Sequence, residues 1–134
     1  MAEHISSLLR RSFEHLEGEV PDSYRLVLDV LGSLVVQVDV DGELFSLRGG
    51  DHLQVSDGLA GAARARITSS RNVILHLLDA KLSLDEAVQA GTVAVQGALD
   101  DILRAHDTLL AYVHAAVRAP SHPELLVALR AGAS

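Results

Sequence analysis

The chain has no cysteine, no tryptophan and a single lysine, Lys81, and its aromatic residues amount to 3% of the total. Each scarcity excludes something. Without cysteine there can be no disulfide, thiolate nucleophile or Cys-based zinc site, and the composition suits a reducing cytosol, so a cytoplasmic location is expected. With so few aromatics against a hydrophobic fraction of 49%, the interior has to be built from Val, Leu, Ile and Ala, whose walls are smooth and aliphatic. Positive charge is also short. A formal net charge of -7 argues against a phosphate-tracking surface, and no nucleic-acid partner is expected. Long apolar runs are missing as well: His4, Arg10, Arg11 and Glu14 interrupt the stretch from Met1 to Leu16, so neither a signal peptide nor stable membrane insertion is expected.

Chemical motifs are equally sparse. There is no Gly-x-Ser-x-Gly elbow, Walker loop or dinucleotide fingerprint, and Gly58-Leu-Ala-Gly61 lacks the lysine and the strand-to-helix setting of a phosphate loop. No nucleophilic centre and no cofactor are expected. His4, His15, His52, His76, His114 and His122 show neither i,i+4 pairing nor a His-Glu-x-x-His arrangement, which leaves a metal site without support. Asp39-Val-Asp41-Gly42 opens like a calcium loop, but the later ligands are missing and a hairpin turn accounts for it.

What is present is periodicity. The length of 134 residues suits one domain over 1–134, with N-terminal helices within 2–32, a sheet-and-helix core over 34–117 and a C-terminal helix over 121–131. Ile5, Leu8, Leu9, Phe13 and Leu16 recur at helical spacing in a helix from Ala2 to Glu17 that Gly18 closes, with Phe13 in the core or in a lid. Pro21 opens a second helix to Leu31, where Tyr24, Val27, Leu28 and Leu31 share a face. From Leu34 the period becomes two: Leu34, Val36, Val38 and Val40 face one way, and Val35, Gln37 and Asp39 the other. Asp41-Gly42 signals a tight hairpin into a strand over Leu44–Leu47, and Gly49-Gly50 a second turn into His52–Val55, which Ser56-Asp57-Gly58 ends. Ala63, Ala65 and Ile67 then alternate with Arg64, Arg66 and Thr68 in a fourth strand, after which Ser69 or Ser70 caps a helix running to about Leu78.

The densest signals lie between Leu75 and Gly97. Ser83-Leu-Asp-Glu86 is a capping box, Asp85 and Glu86 suit the positive end of a helix, and Gly91 stops that helix after about two turns. Val93 and Val95 alternate from there to Gly97 as a fifth strand. From Ala98 to about Val117, the residues Leu99, Ile102, Leu103, His106, Leu109, Leu110, Val113 and Val117 form one broad stripe, read as the inward face of a long helix. Ser121 and Glu124 make another capping box for a last helix, and Ala131 to Ser134 are expected to fray.

Together with the upstream hairpins, Leu77 to Arg104 (LLDAKLSLDEAVQAGTVAVQGALDDILR) resembles the sterol carrier protein 2 (SCP2) family. In that family a Gly-Lys-Leu-like turn, a short helix, a G-x-V-x-V-x-G strand and a closing helix follow one another. The counterparts here are Lys81-Leu82, Asp85 to Ala90, and Gly91-Thr-Val-Ala-Val-Gln-Gly97, with Ala80 standing where the family commonly has glycine. The likeness extends from Val35 to about Val113. It implies an α+β fold, a five-stranded mainly antiparallel sheet packed against helices; the N-terminal helix and the C-terminal segment from Ser121 to Leu129 depart from the family as additions to that core. It also implies an apolar tunnel, often used for acyl chains, sterols or other lipids.

The function expected on this reading is non-catalytic binding or carriage of a hydrophobic small molecule, lipid, fatty-acyl or isoprenoid-like, between sheet and helices. Its candidate lining is Phe45, Leu47, Ile67, Val93, Leu103, His106, Leu110 and Val113, although ordinary core packing would give the same periodicity. His106 interrupts an aliphatic stripe, so it is either a satisfied core histidine, a donor to a ligand head group, or the acid or base of a small enzyme using the same cavity. Arg64 and Arg66 share a strand face that is either solvated or holds a carboxylate. A third possibility is an interaction module, with a homodimer among its forms.

Overall fold

The computed structural model of the protein describes residues 3–131, so the expected helix start at Ala2 and the fraying expected over 132–134 lie outside the described residues. The elements are α1 (Ile5–Glu19), α2 (Pro21–Leu31), β1 (Val36–Val40), β2 (Glu43–Arg48), β3 (Gln54–Asp57), β4 (Ala65–Ser69), α3 (Arg71–Leu78), α4 (Leu84–Gln89), β5 (Ala94–Gly97), α5 (Leu99–Arg118) and α6 (His122–Ala131). Gly18 does not close α1, which continues through it, so only Val20 separates α1 from α2.

The five strands form one sheet in the order β3-β2-β1-β4-β5, with β1 and β4 parallel and the other pairs antiparallel. The four upstream strands are therefore not a simple meander: after β3 the chain crosses to the far side of β1. Gln37 holds that crossing in place. Its amide nitrogen donates to the carbonyls of Phe45 (2.9 Å) and Gly58 (3.1 Å), and its side-chain oxygen accepts from the N–H of Ala60 (2.8 Å). A residue expected on the outer face is thus buried beneath the crossover loop, with three hydrogen bonds offsetting its desolvation.

Local chemistry explains most boundaries. Asp41 and Gly42 both take positive φ, +52° and +87°, as a two-residue hairpin turn demands. The Ser70 hydroxyl accepts from the N–H of Val73 and starts α3, and the Ser83–Glu86 capping box is complete in both directions at 3.2 and 3.3 Å. Ala80 adopts φ +63°, the left-handed conformation that a glycine would take freely and that costs an L-residue about 1–2 kcal/mol. Gly97 pairs with Ala65 so closely that a Cβ would stand 2.6 Å from the Arg64 carbonyl oxygen. Strand β3 starts later than expected because the N–H of Leu53 donates to the Tyr24 hydroxyl (2.9 Å) instead of joining the ladder.

Side chains also fasten the terminal helices to the core. The Glu43 carboxylate accepts the N–H groups of Ile5 and Ser6, both at 2.9 Å, at the start of α1. Arg71 donates to the carbonyls of Ala128 (2.9 Å), Leu129 (3.0 Å) and Glu3 (2.7 Å), which covers the open C-terminal carbonyls of α6. The capping box expected at Ser121–Glu124 is not formed. Instead the Ser121 N–H donates to the Glu19 carboxylate (2.8 Å), a bond that holds this carboxyl below its ordinary range.

Candidate functional site

The apolar residues of the sheet's inner face, the inward sides of α1 and α2 and one side of α5 enclose a cavity of about 80 Å³. From the sheet come Val36, Val38, Val40, Phe45, Leu47 and Ile67, brought together by register: Val38 lies between Phe45 and Ile67, and Val36 opposite Leu47. Leu9, Phe13 and Val27 close one side, Leu77, Leu78 and Val93 another, and Ala105, Leu109, Tyr112 and Val113 of α5 the third.

Three lining residues carry hydroxyls, and each is engaged elsewhere. Thr108 donates to the Arg104 carbonyl (2.7 Å), Ser69 donates to the Thr92 carbonyl (3.0 Å), and Tyr112 shares a hydrogen bond with Ser12 (2.8 Å). The cavity is left with carbon walls. Burial pushes the Tyr112 phenol up to about 12, partly offset by the Ser12 bond, so this side chain is neutral and offers no acid or base near neutral pH. Its ring meets Phe13 edge-on, with centroids 5.4 Å apart.

Of the residues singled out from the sequence, Phe45, Leu47, Ile67, Val93 and Val113 border this cavity, whereas Leu103, His106 and Leu110 do not. The correction has one physical cause. Helix α5 buries Ala105, Thr108, Tyr112, Ala115 and Ala116, and its largest interface is with α2, so the small residues face the body, Leu109 and Val113 stay at the cavity's edge, and Leu99, Leu103 and Val117 are turned outward. Leu103 is exposed, and Leu110 borders an external groove. His106, on the same helix, is half-buried, its ring nitrogens 3.7 Å from Asp85 and 3.5 Å from Asp107, and it is not among the residues that line the cavity. Arg64 and Arg66 lie on the solvent side, near Asp101 (3.7 Å) and Asp39 (3.4 Å) respectively.

Two surface depressions abut the cavity. One, between α1 and β3, is lined by Arg10, Glu14, Glu17, His52 and Gln54 and reaches Phe13; the other, between residues 80–86 and α5, reaches Leu77 and Val113. Sequence reasoning missed Ala105 and Tyr112 as lining; Phe13, expected in the core or a lid, and Leu109, expected on the inward stripe, do line the cavity. The available signal was the second helical series Ala105, Thr108, Tyr112 and Ala115, whose small members allow close helix approach.

No family model matches the sequence, and no curated protein matches it either. Solved structures do. The fold is similar to that of a UbiJ-SCP2 ubiquinone synthesis protein, with 22% identity over 80% of this chain and 91% of that one and a TM-score of 0.55. It is also similar to sterol carrier protein domain 2 of Helicoverpa armigera (13% identity, 84% and 94% coverage, TM-score 0.58) and to the apo form of sterol carrier protein 2 from Yarrowia lipolytica (15%, 81% and 88%, 0.53). At these identities the likeness is one of fold. The α+β architecture, with a five-stranded, mostly antiparallel sheet and helices at both termini, is the SCP2 fold.

Proposed function

We propose that this SCP2-fold chain binds a hydrophobic small molecule, a fatty-acyl or isoprenoid-like chain, by non-covalent burial in the cavity under α5. The observation that carries this reading is the carbon-only wall: every hydroxyl at its edge is satisfied elsewhere, so a hydrocarbon loses nothing on entry and gains about 25 cal/mol for each Å² taken from water. The volume of about 80 Å³ is below the roughly 300–1,000 Å³ of drug-sized ligand sites, so binding requires the walls to move apart. Several lining side chains on the helices, Leu9, Ile74, Leu109 and Val113 among them, are only partly buried.

The test is native mass spectrometry of the delipidated chain after incubation with palmitate or with farnesol. A one-to-one adduct is expected with at least one of them, and it should be lost in Ala105→Leu, which places a larger side chain in the cavity. Failure of both probes to bind, or undiminished binding in the folded Ala105→Leu variant, refutes the proposal.

A further inference from the structure

Helix α5 carries two stripes: one is buried against the body of the protein, and the other packs partly against the core at Leu110 and Val113 but leaves Leu99, Leu103 and Val117 exposed. Leu99, Leu103, His106, Leu110, Val113 and Val117 follow one another at steps of four and three residues, the a/d seam of a coiled-coil helix. With Leu103, Leu110 and Val117 at a, and Leu99, His106 and Val113 at d, the seam spans most of a 20-residue helix, a length of about 30 Å. Leu99 is 70% exposed, Leu103 54% and Val117 45%. Beside its C-terminal half lies a groove of about 340 Å³, which Leu82 and Leu84 line together with Leu110, Val113 and Val117. Spacing and groove together describe a seat for another helix.

Charge decides which helix. The e positions flanking the seam are Asp100, Asp107 and His114, and α4 adds Asp85 and Glu86. Asp85 and Asp107 flank His106 and are 84% and 65% exposed. The cations nearby are few: Lys81, at the edge of the groove, is paired with Asp79 at 3.7 Å, Arg104 donates to the Val30 carbonyl (3.3 Å), and Arg118 stands at the far end in position b. A second copy would set Asp107 against Asp107 in an antiparallel pair, on a chain whose net charge is already -7, and an anionic lipid surface would be repelled in the same way. We propose that this seam and groove dock a basic amphipathic helix of a partner protein, apolar at its a and d positions and carrying Lys or Arg at its e and g positions.

The test uses the full chain and two labelled three-heptad peptides with Leu at every a and d, and either Lys or Glu at every e and g. By fluorescence anisotropy the Lys peptide is expected to bind, and to weaken about tenfold as NaCl rises from about 50 to about 300 mM. Leu103→Asp and Val117→Asp, both at exposed positions, should each weaken it about tenfold or more while leaving far-UV circular dichroism unchanged. Asp85→Asn combined with Asp107→Asn should flatten the salt dependence. Absence of Lys-peptide binding, equal binding of the Glu peptide, or indifference to Leu103→Asp would overturn the proposal. So would a dimer in sedimentation equilibrium, or binding to phosphatidylglycerol vesicles, that Leu103→Asp abolishes, since either assigns the seam to a different occupant.

Discussion

The two sides of α5 invert the usual relation between residue size and burial. Its buried side consists of Ala105, Thr108, Tyr112, Ala115 and Ala116, while Leu99, Leu103 and Val117 stand in solvent. Apolarity does not decide which side goes in; the distance to α2 does, because small residues let the helices approach where leucines would hold them apart. Tyr112 is the exception that fills what the alanines leave, packing on Phe13 and bonding to Ser12. Tyr112→Ala should cost about 3–5 kcal/mol, through a cavity merging with the existing one and an orphaned Ser12 hydroxyl, and urea unfolding would measure it. A cost below about 1 kcal/mol would mean that the inner side is not the tightly packed one.

Within the inner side the alanines are not equivalent, and a pair of identical substitutions separates them. Ala116 is buried away from the cavity, so Ala116→Leu overpacks an existing interface and should cost about 1–3 kcal/mol. Ala105 borders the cavity, where the added methylenes enter empty space. Ala105→Leu should therefore change stability by less than Ala116→Leu, within about 1 kcal/mol of zero. Equal losses in the two urea midpoints would show that the void is too narrow or too rigid to accept a leucine side chain.

The sequence announced elements better than it announced orientation. The Ser83 capping box, the Asp41-Gly42 turn and the valine alternation before Gly97 are local signals, formed by residues a few positions apart, and each appears in the structure. The SCP2-like order of elements was legible for the same reason. The parallel β1–β4 pairing and the buried Gln37 were not, because both depend on a loop that comes more than twenty positions later in the chain. Ser121 and Glu124 matched a capping box, but Glu19, distant in sequence, took the Ser121 N–H. The candidate site divides along the same line. Sheet residues such as Phe45 and Ile67 were placed on the cavity by strand alternation, since a strand has only two faces. Leu103, His106 and Leu110 were misplaced because the apolar side of α5 is broad enough to hold more than one stripe, and periodicity weights leucine above alanine.

The outer side supplies the smallest expected effect and the most discriminating one. If the exposed Leu103 contributes nothing to the fold of the isolated chain, Leu103→Gln should shift stability by no more than about 0.5 kcal/mol, as at other exposed positions lacking special contacts. Leu103 reaches neither the cavity nor the external groove, so no void opens and no polar group is stranded. The glutamine keeps a similar helix propensity, which removes the backbone as a confounding source. A urea midpoint that moves by much more would require Leu103 to be covered in solution, and sedimentation at two protein concentrations would tell whether the cover is another copy. An unmoved midpoint leaves an exposed leucine that folding does not use, in an apolar heptad seam beside four acidic side chains, on a surface where solubility alone would favour polar residues.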